Sequence, residues 1–265
     1  MPLGLVGGNT GYGEGSTLAM FSVSLIPMAM FLFFHQTLFP QRRLVKWMLG
    51  AFIVFLLLAG IGTYARTSVV CLAVLALCLI YYGKRKLLSV VFVMTLAAVA
   101  YPFIDDGWID RMSTIDSDTD ASAMGRVAVW KWVVEYVAAH PLGGSFEMFR
   151  INSYSMLLHD GSVLQVARKA YHSIYFEVLG EGGIPGFFMF LMLIGLTLVS
   201  FMRHKKISLM TGERWLGDAG RCLLISTLVY LAGGAFIGVG FQSYFYYLVA
   251  LSAAYINLGE KYACA

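Results

Sequence analysis

Residues 170–206 read "AYHSIYFEVLGEGGIPGFFMFLMLIGLTLVSFMRHKK" and contain an apolar run, Ile184 to Met202, that has no charged side chain. A helix of roughly 20 apolar residues crosses the hydrocarbon of a bilayer, so this run predicts a membrane span. Ionisable residues mark both of its ends: His172, Glu177 and Glu181 precede it, and Arg203, Lys205 and Lys206 follow it.

The composition of the whole chain places the protein in the membrane class. Hydrophobic residues make up 59% of the 265 residues and charged residues only 13%, with a mean hydropathy of +0.74. These values lie outside the range of soluble globular domains. The net charge of +4 does not indicate nucleic-acid binding, because the position of the charges matters more than their sum. The four cysteines show neither a metal-ligand spacing nor a disulfide framework.

Seven runs are long and apolar enough to predict transmembrane helices. The predicted fold class is therefore all-α, a polytopic transmembrane helical bundle with one long loop. The predicted spans are Thr17–Phe39, Trp47–Tyr64, Thr67–Tyr82, Leu87–Ile104, Ile184–Met202, Cys222–Val239 and Phe241–Leu258.

Every second link between these spans is basic, which predicts an orientation in the membrane. Basic links stay in the cytoplasm, so the N-terminus, the turn at 64–66 and the loop 105–183 are predicted to lie outside. The chain then has three predicted domains: residues 1–104 with a lead-in and four spans, the loop 105–183, and residues 184–265 with three spans. The basic residues are Arg42, Arg43, Lys46, Lys84, Arg85, Lys86, Arg203, Lys205, Lys206, Arg214 and Arg221.

The loop 105–183 is predicted to contain an amphipathic helix that rests on the membrane surface. The segment "GRVAVWKWVVEYVAAHPLGG", residues 125–144, has a helical apolar spacing and ends in residues that stop helices. The apolar residues at this spacing are Val127, Trp130, Val134 and Val137.

Two polar segments flank these predictions. Residues 105–122 are acidic and rich in turn formers, but they match no calcium-loop pattern, so we expect a solvated connector. Residues 1–16 form a Gly-rich lead-in on the outer side, which is unusual for a polytopic protein. One explanation is that further spans precede it in a longer chain and that Met1 is an internal start or a fragment boundary.

Arg66 lies in the turn between two short predicted spans, which holds it close to the bilayer surface. At that depth an arginine either snorkels to lipid phosphate or binds an anionic ligand. A guanidinium group suits phosphate because its planar fork donates two parallel hydrogen bonds.

Arg126 lies at the start of the amphipathic helix, on the side of Trp130 and Val133, which is predicted to face the membrane. A cation beside the exposed N–H groups of a helix start favours an anion site. An ion pair with Asp118 or Asp120 is the structural alternative.

His172 is the candidate base. If the helix already runs from Ala170, helical spacing places His172 beside aromatic residues, and Glu177 and Glu181 fall on a different row with Ser173. The two glutamates would then be poor partners for orienting the imidazole, and they fit a role at the outer water boundary. A histidine beside aromatics at an interface also fits a purely structural role.

The segments "GRVAVWKWVVEYVAAHPLGG" and "HSIYFEVLGEGGIPGFFMFL", with "YARTSVVCLAVLAL" upstream, resemble the bacterial O-antigen ligase and polymerase superfamily. The resemblance is closest to the O-glycosylation ligases associated with exosortase systems. It implies a GT-C-like glycosyltransferase of the bacterial inner membrane that needs neither a metal nor another cofactor. Such an enzyme transfers glycan from an undecaprenyl-pyrophosphate carrier to an acceptor on the periplasmic side.

The resemblance also implies roles for three residues. His172 matches the superfamily's loop histidine, the base that takes a proton from the acceptor hydroxyl. Arg66 and Arg126 match the arginines that hold the donor pyrophosphate. The implied partners are the undecaprenyl-pyrophosphate-linked donor, a glycan or lipid-linked acceptor and membrane lipids, without nucleic acid. Family members usually have ten or more spans and seven are predicted here, so N-terminal spans are expected to be missing. Ser173 stands where the family often has Asn.

The sequence leaves three functions open: a ligase, a polymerase of lipid-linked polysaccharide, and a transporter or flippase of polysaccharide precursors that does no chemistry. A flippase is expected to carry ionisable residues along the interior of its spans. The predicted spans are almost uncharged, and the notable residues cluster towards one membrane face. This pattern favours chemistry at the membrane surface and does not separate a ligase from a polymerase.

Overall fold

The computed structural model describes residues 15–35, 43–83, 86–100, 121–157 and 163–264. These ranges are mostly helical, which confirms the predicted all-α membrane bundle. The helices are α1 (Gly15–Phe34), α2 (Arg43–Ile61), α3 (Arg66–Tyr82), α4 (Lys86–Ala100), α5 (Ala121–Ala139), α6 (Ile174–Met202), α7 (His204–Thr211), α8 (Arg214–Gly234) and α9 (Ser243–Ala263), with a 3-10 helix at Met148–Ile151 and strands β1 (Ser153–Leu157) and β2 (Val163–Ala167).

Each of the seven predicted spans overlaps a helix, although α2 ends at Ile61 and α8 at Gly234, before the predicted ends at Tyr64 and Val239. Within the described ranges, α1, α2, α6 and α8 are long and apolar enough to cross a membrane. Helix α3 is apolar but has 17 residues, and α4 has 15. Helix α9 has 21 residues, but tyrosines and a Gly-Glu-Lys stretch near its end interrupt its apolar sequence. Four full-length spans are therefore described, against seven predicted.

The chain forms two compact units. The first contains the described residues of 1–105, 194–233 and 243–265, and the second contains those of 106–193 and 234–242. In the first unit, α1 packs closely on α2 at Gly60, where an added Cβ would lie 2.9 Å from Cγ2 of Val23. The absence of a side chain at Gly60 is what allows this approach.

The core of the second unit forms around α5. Val129, Val133 and Val137 are buried in it together with Tyr171, whereas Val127 and Val134 are 48% and 52% exposed. The predicted helix is thus present, but the predicted apolar row is wrong at these two positions. The helix is apolar on several sides, and packing against protein residues, including Tyr171 and Phe149, selects the row that is buried.

Helix α6 contains a break at Gly183, where φ is +63°. Pro185 has no N–H, so the carbonyl of Glu181 loses its helical partner and accepts a hydrogen bond from Ser145 N at 3.1 Å instead. On either side of the break, Gly144 N donates to Gly180 O, and Ile184 N donates to Pro141 O, each at 2.9 Å. Residues 141–145, which follow α5, therefore form a strap that replaces the missing hydrogen bonds of α6.

Strands β1 and β2 form an antiparallel pair, with Ser153 opposite Ala167 and Leu157 opposite Val163. No strand was predicted in this region from the sequence. The available signal was Asp160–Gly161 between two short apolar stretches, a dipeptide typical of hairpin turns. The acidic connector 105–122, except for its last two residues, and most of the lead-in 1–16 lie outside the described residues.

Candidate functional site

The segment that leads to His172 is anchored by a buried asparagine. Asn152 is 1% exposed. Its Nδ2 donates to the carbonyl of Lys169 at 2.6 Å, and its Oδ1 accepts from the N–H of Lys169 at 2.8 Å. The N–H of Arg168 donates to the carbonyl of Asn152 at 3.0 Å. The chain therefore leaves β2 along a fixed path.

His172 itself lies outside the helix. Helix α6 begins at Ile174, not at Ala170, and His172 has φ +49°, in the left-handed region. The expected helix start at Ala170, which put His172 on a different helical row from Glu177 and Glu181, is therefore wrong. The preceding carbonyl, of Tyr171, accepts a hydrogen bond from Trp130 Nε1 at 2.8 Å. His172 is half-buried, just before the N-terminus of α6.

The two glutamates in the first turns of α6 accept hydrogen bonds from backbone N–H groups. Oε2 of Glu177 accepts from Gly240 N at 2.6 Å, and Oε1 of Glu181 accepts from Glu147 N at 3.0 Å. Glu181 is only 9% exposed. Each carboxylate is turned towards a backbone donor of the same unit. Their position at an outer water boundary stays a prediction.

Tyr171, next to the candidate base, is not a competing base. Its side chain is 3% exposed and belongs to the core around α5. Burial raises the pKa of the Tyr171 phenol far above its ordinary value, and the charges of Glu181 and Glu177 raise it further. The phenol therefore stays protonated at neutral pH.

Arg126 lies in the second turn of α5, and its Nε atom is buried without a hydrogen-bond partner among the described residues. A buried guanidinium donor is costly to leave unpaired. The side that Arg126 shares with Trp130 and Val133 packs against protein, so its predicted contact with the membrane is wrong. The alternative partners Asp118 and Asp120 lie outside the described residues.

Lys169 is a residue that the sequence-based analysis missed. A Cβ added at Gly125 would lie 3.6 Å from Cε of Lys169 and 3.9 Å from its Nζ. The ammonium group therefore lies beside α5, next in the chain to Arg126. No local motif marks this lysine, and only the Arg168–Lys169 pair of bases close to His172 could have drawn attention to it.

Arg66 is the first residue of α3, in the first unit. The turn before it is tied to one carbonyl: Thr63 Oγ1 and Ser68 Oγ each donate to Gly60 O at 2.8 Å. Tyr64 has φ +55°, which few residues other than glycine adopt. The turn is thus built tightly, and Arg66 is half-buried at its end.

Two other features bear on binding. An apolar cavity of about 300 Å³ lies in the first unit between α1, α8 and α9, and its lining includes none of the candidate site residues. In the part of the chain that is described, no three His, Cys, Asp or Glu side chains group closely enough to hold a metal ion.

The helical architecture defines a polytopic membrane protein. Its second unit, which contains most of the predicted loop, carries basic groups and a histidine. The model of the O-antigen ligase family matches residues 51–191, and the chain belongs to this family. Comparisons with curated proteins and with solved structures found no match. The matched range includes Arg66, Arg126 and His172. The protein is an integral membrane protein with a role in glycan processing for polysaccharide biosynthesis.

Proposed function

We propose that the chain is a glycosyltransferase that moves glycan from an undecaprenyl-pyrophosphate donor to an acceptor hydroxyl at the periplasmic face of the bacterial inner membrane. One observation carries the proposal. The second unit contains both His172, just before the N-terminus of α6, and Arg126. The buried Nε of Arg126 has no hydrogen-bond partner among the described residues. A base and an anion-binding group are what this transfer requires.

The reaction assigns each group a task. Neutral His172 takes the proton of the acceptor hydroxyl while the acceptor oxygen forms a bond to the anomeric carbon of the donor sugar. The bond between that carbon and the phosphate oxygen breaks, and its electron pair leaves with the pyrophosphate. The imidazolium then releases its proton to solvent.

The leaving group gains negative charge as its bond to the sugar breaks. Arg126 and Arg66 stabilise that charge in this proposal, because a guanidinium binds phosphate oxygens through charge-assisted hydrogen bonds. Lys169 supports the same role, since its ammonium lies beside α5 at Gly125, adjacent to Arg126. Basic residues at the membrane surface also suit a donor whose lipid tail stays in the bilayer.

The test compares glycan transfer in a strain that lacks its own enzyme, at matched expression, for His172→Ala, Arg66→Ala and Arg126→Ala. We expect His172→Ala to lose about 100-fold or more of the transfer rate, as for the loss of a general base. Arg150→Ala is the matched control, because Arg150 is exposed and pairs with Glu147 at 2.9 Å.

Full transfer by His172→Ala would exclude the base, and full transfer by both Arg66→Ala and Arg126→Ala would exclude the pyrophosphate site. A polymerase is the second candidate, because the family match does not separate a ligase from a polymerase. Product length separates the two: a polymerase lengthens the lipid-linked chain, and a ligase leaves the number of repeat units unchanged.

A further inference from the structure

Trp130 contacts the chain on both sides of His172. Its Nε1 donates to the carbonyl of Tyr171 at 2.8 Å. Its ring stacks on Phe176, with ring centroids 4.8 Å apart and planes inclined by 6°. One side chain of α5 therefore holds both the residue before His172 and the first turn of the helix after it.

The conformation of His172 makes these contacts necessary. A residue other than glycine at φ +49° is in a sparsely populated region, which persists only where the surroundings hold it. The carbonyl of Tyr171 belongs to the same peptide plane as the N–H of His172. The hydrogen bond from Trp130 therefore restrains rotation of that plane, and with it the direction of the imidazole.

Trp130 also lies four residues after Arg126, one turn further along α5. The same helix thus carries the proposed anion-binding arginine and holds the proposed base. We propose that Trp130 is a positioning residue that fixes the imidazole of His172 relative to Arg126. This inference rests on the proposed function. Misplacing a reacting group by about 1 Å costs up to roughly 100-fold in rate, so the effect belongs in kcat.

The experiment uses the full chain, purified in lipid nanodiscs, with a fluorescent lipid-linked glycan donor. Trp130→Phe keeps an aromatic ring for Phe176 but removes the donor to Tyr171. We expect kcat to fall by about 10- to 100-fold, with the donor KM changed by less than about threefold. Trp132→Phe is the matched control: it lies in the same helix, stacks on Tyr136 at 5.2 Å, and should retain wild-type kcat.

A second measurement is independent of transfer. Diethyl pyrocarbonate modifies accessible imidazoles, and mass spectrometry gives its rate at His172. We expect this rate to change at least threefold in Trp130→Phe and to stay unchanged in Trp132→Phe. A Trp130→Phe protein with wild-type kcat overturns the inference, and so does one whose modification rate at His172 equals that of the wild type.

The two proposals fail in different ways. If His172→Ala transfers glycan fully, the proposed function falls, and the modification rate alone then decides whether Trp130 holds the loop. If His172→Ala is inactive while Trp130→Phe is fully active, the proposed function stands and the positioning role falls.

Discussion

At Lys169 the backbone and the side chain have separate tasks. The buried amide of Asn152 holds the backbone with two hydrogen bonds, while the side chain extends to Gly125 of α5. Because Gly125 precedes Arg126, Lys169 adds a second basic residue close to the turn of α5 that carries Arg126. A ligand with two linked phosphates suits such a pair better than one with a single carboxylate.

Lys169→Ala should therefore raise the KM for the lipid-linked donor. We expect about a tenfold increase, because a hydrogen bond to a charged group is worth roughly 1.5–3 kcal/mol and part of it is screened at a half-exposed site. Steady-state transfer at increasing donor concentration measures the effect. Lys169→Arg should restore much of the affinity.

Lys131→Ala provides the comparison, since Lys131 is an exposed lysine of α5. If Lys169→Ala and Lys131→Ala have the same donor KM as the wild type, Lys169 does not bind the donor. The folded fraction of each variant is checked by its thermal unfolding.

Sequence reasoning identified Arg126 and His172 because both lie in motifs that can be read locally. It missed Lys169. It also expected a helix that already includes His172, whereas the helix begins at Ile174. Both errors have one cause. The path of residues 168–173 is set by Asn152 and Trp130, which are distant in the chain, and local propensity cannot report such contacts.

At the scale of elements, the strap 141–145 determines how α5 is joined to α6. Gly143 has φ +79°, and a Cβ added there would lie 2.5 Å from Gly183 N and 2.7 Å from Glu181 O. These neighbours are backbone atoms, which cannot move aside as the end of a flexible side chain can. Glycine is therefore required at this position by both conformation and space.

Gly143→Ala should destabilise the protein by about 2–4 kcal/mol. The estimate combines roughly 1–2 kcal/mol for an alanine in the left-handed region with about 1 kcal/mol for each strap hydrogen bond that is lost. Thermal unfolding in detergent, followed by tryptophan fluorescence, measures the change.

Gly182→Ala is the matched control for this strap. A Cβ at Gly182 would meet no atom within 4 Å, and the residue is helical, so alanine there should be neutral or slightly stabilising. Equal melting temperatures for Gly143→Ala and the wild type would show that the strap does not need glycine.

The elements were predictable to different degrees. Long apolar runs located a helix within each of the seven predicted spans, since hydropathy depends on composition alone. The buried row of α5 was not predictable, because Val127 and Val129 are chemically alike and only tertiary packing separates them. The break in α6 was visible as "GGIPG", but its partner, the strap, is about 40 residues upstream.

At the scale of the whole molecule, the compact units are assembled from separate stretches of chain. Residues 234–242 belong with 106–193, although the sequence-based division assigned them to the last domain. That division describes the predicted sides of the membrane and stays a prediction. Each unit combines segments that are distant in the chain, and hydrogen bonds such as that from Gly240 N to Glu177 join them. A division of the chain into consecutive ranges cannot represent such contacts.

Stability against acid is a property of the whole fold, and His204 is one of its determinants. The residue is buried at the start of α7. Burial lowers the pKa of its imidazole, and the charges of Lys205 and Arg221 act in the same direction, while the hydrogen bond to the Phe201 carbonyl and the charge of Asp218 oppose it. The folded state thus binds a proton at His204 less readily than the unfolded chain does.

This difference fixes the sign of the pH dependence. The contribution of neutral His204 to stability is complete above the ordinary pKa of 6.5 and is lost as the pH falls below it towards the lower pKa of the folded state. The melting temperature in detergent should therefore decrease on acidification below about pH 6.5. His204→Asn should reduce that decrease, because it removes the titrating group while keeping a donor for the carbonyl of Phe201.

His140→Asn is the control. Exposed His140 makes a similar hydrogen bond to the carbonyl of Tyr136 at 3.1 Å, and this variant should retain the wild-type pH dependence. If His204→Asn loses as much stability on acidification as the wild type does, the buried imidazole is not the group that makes the fold sensitive to acid.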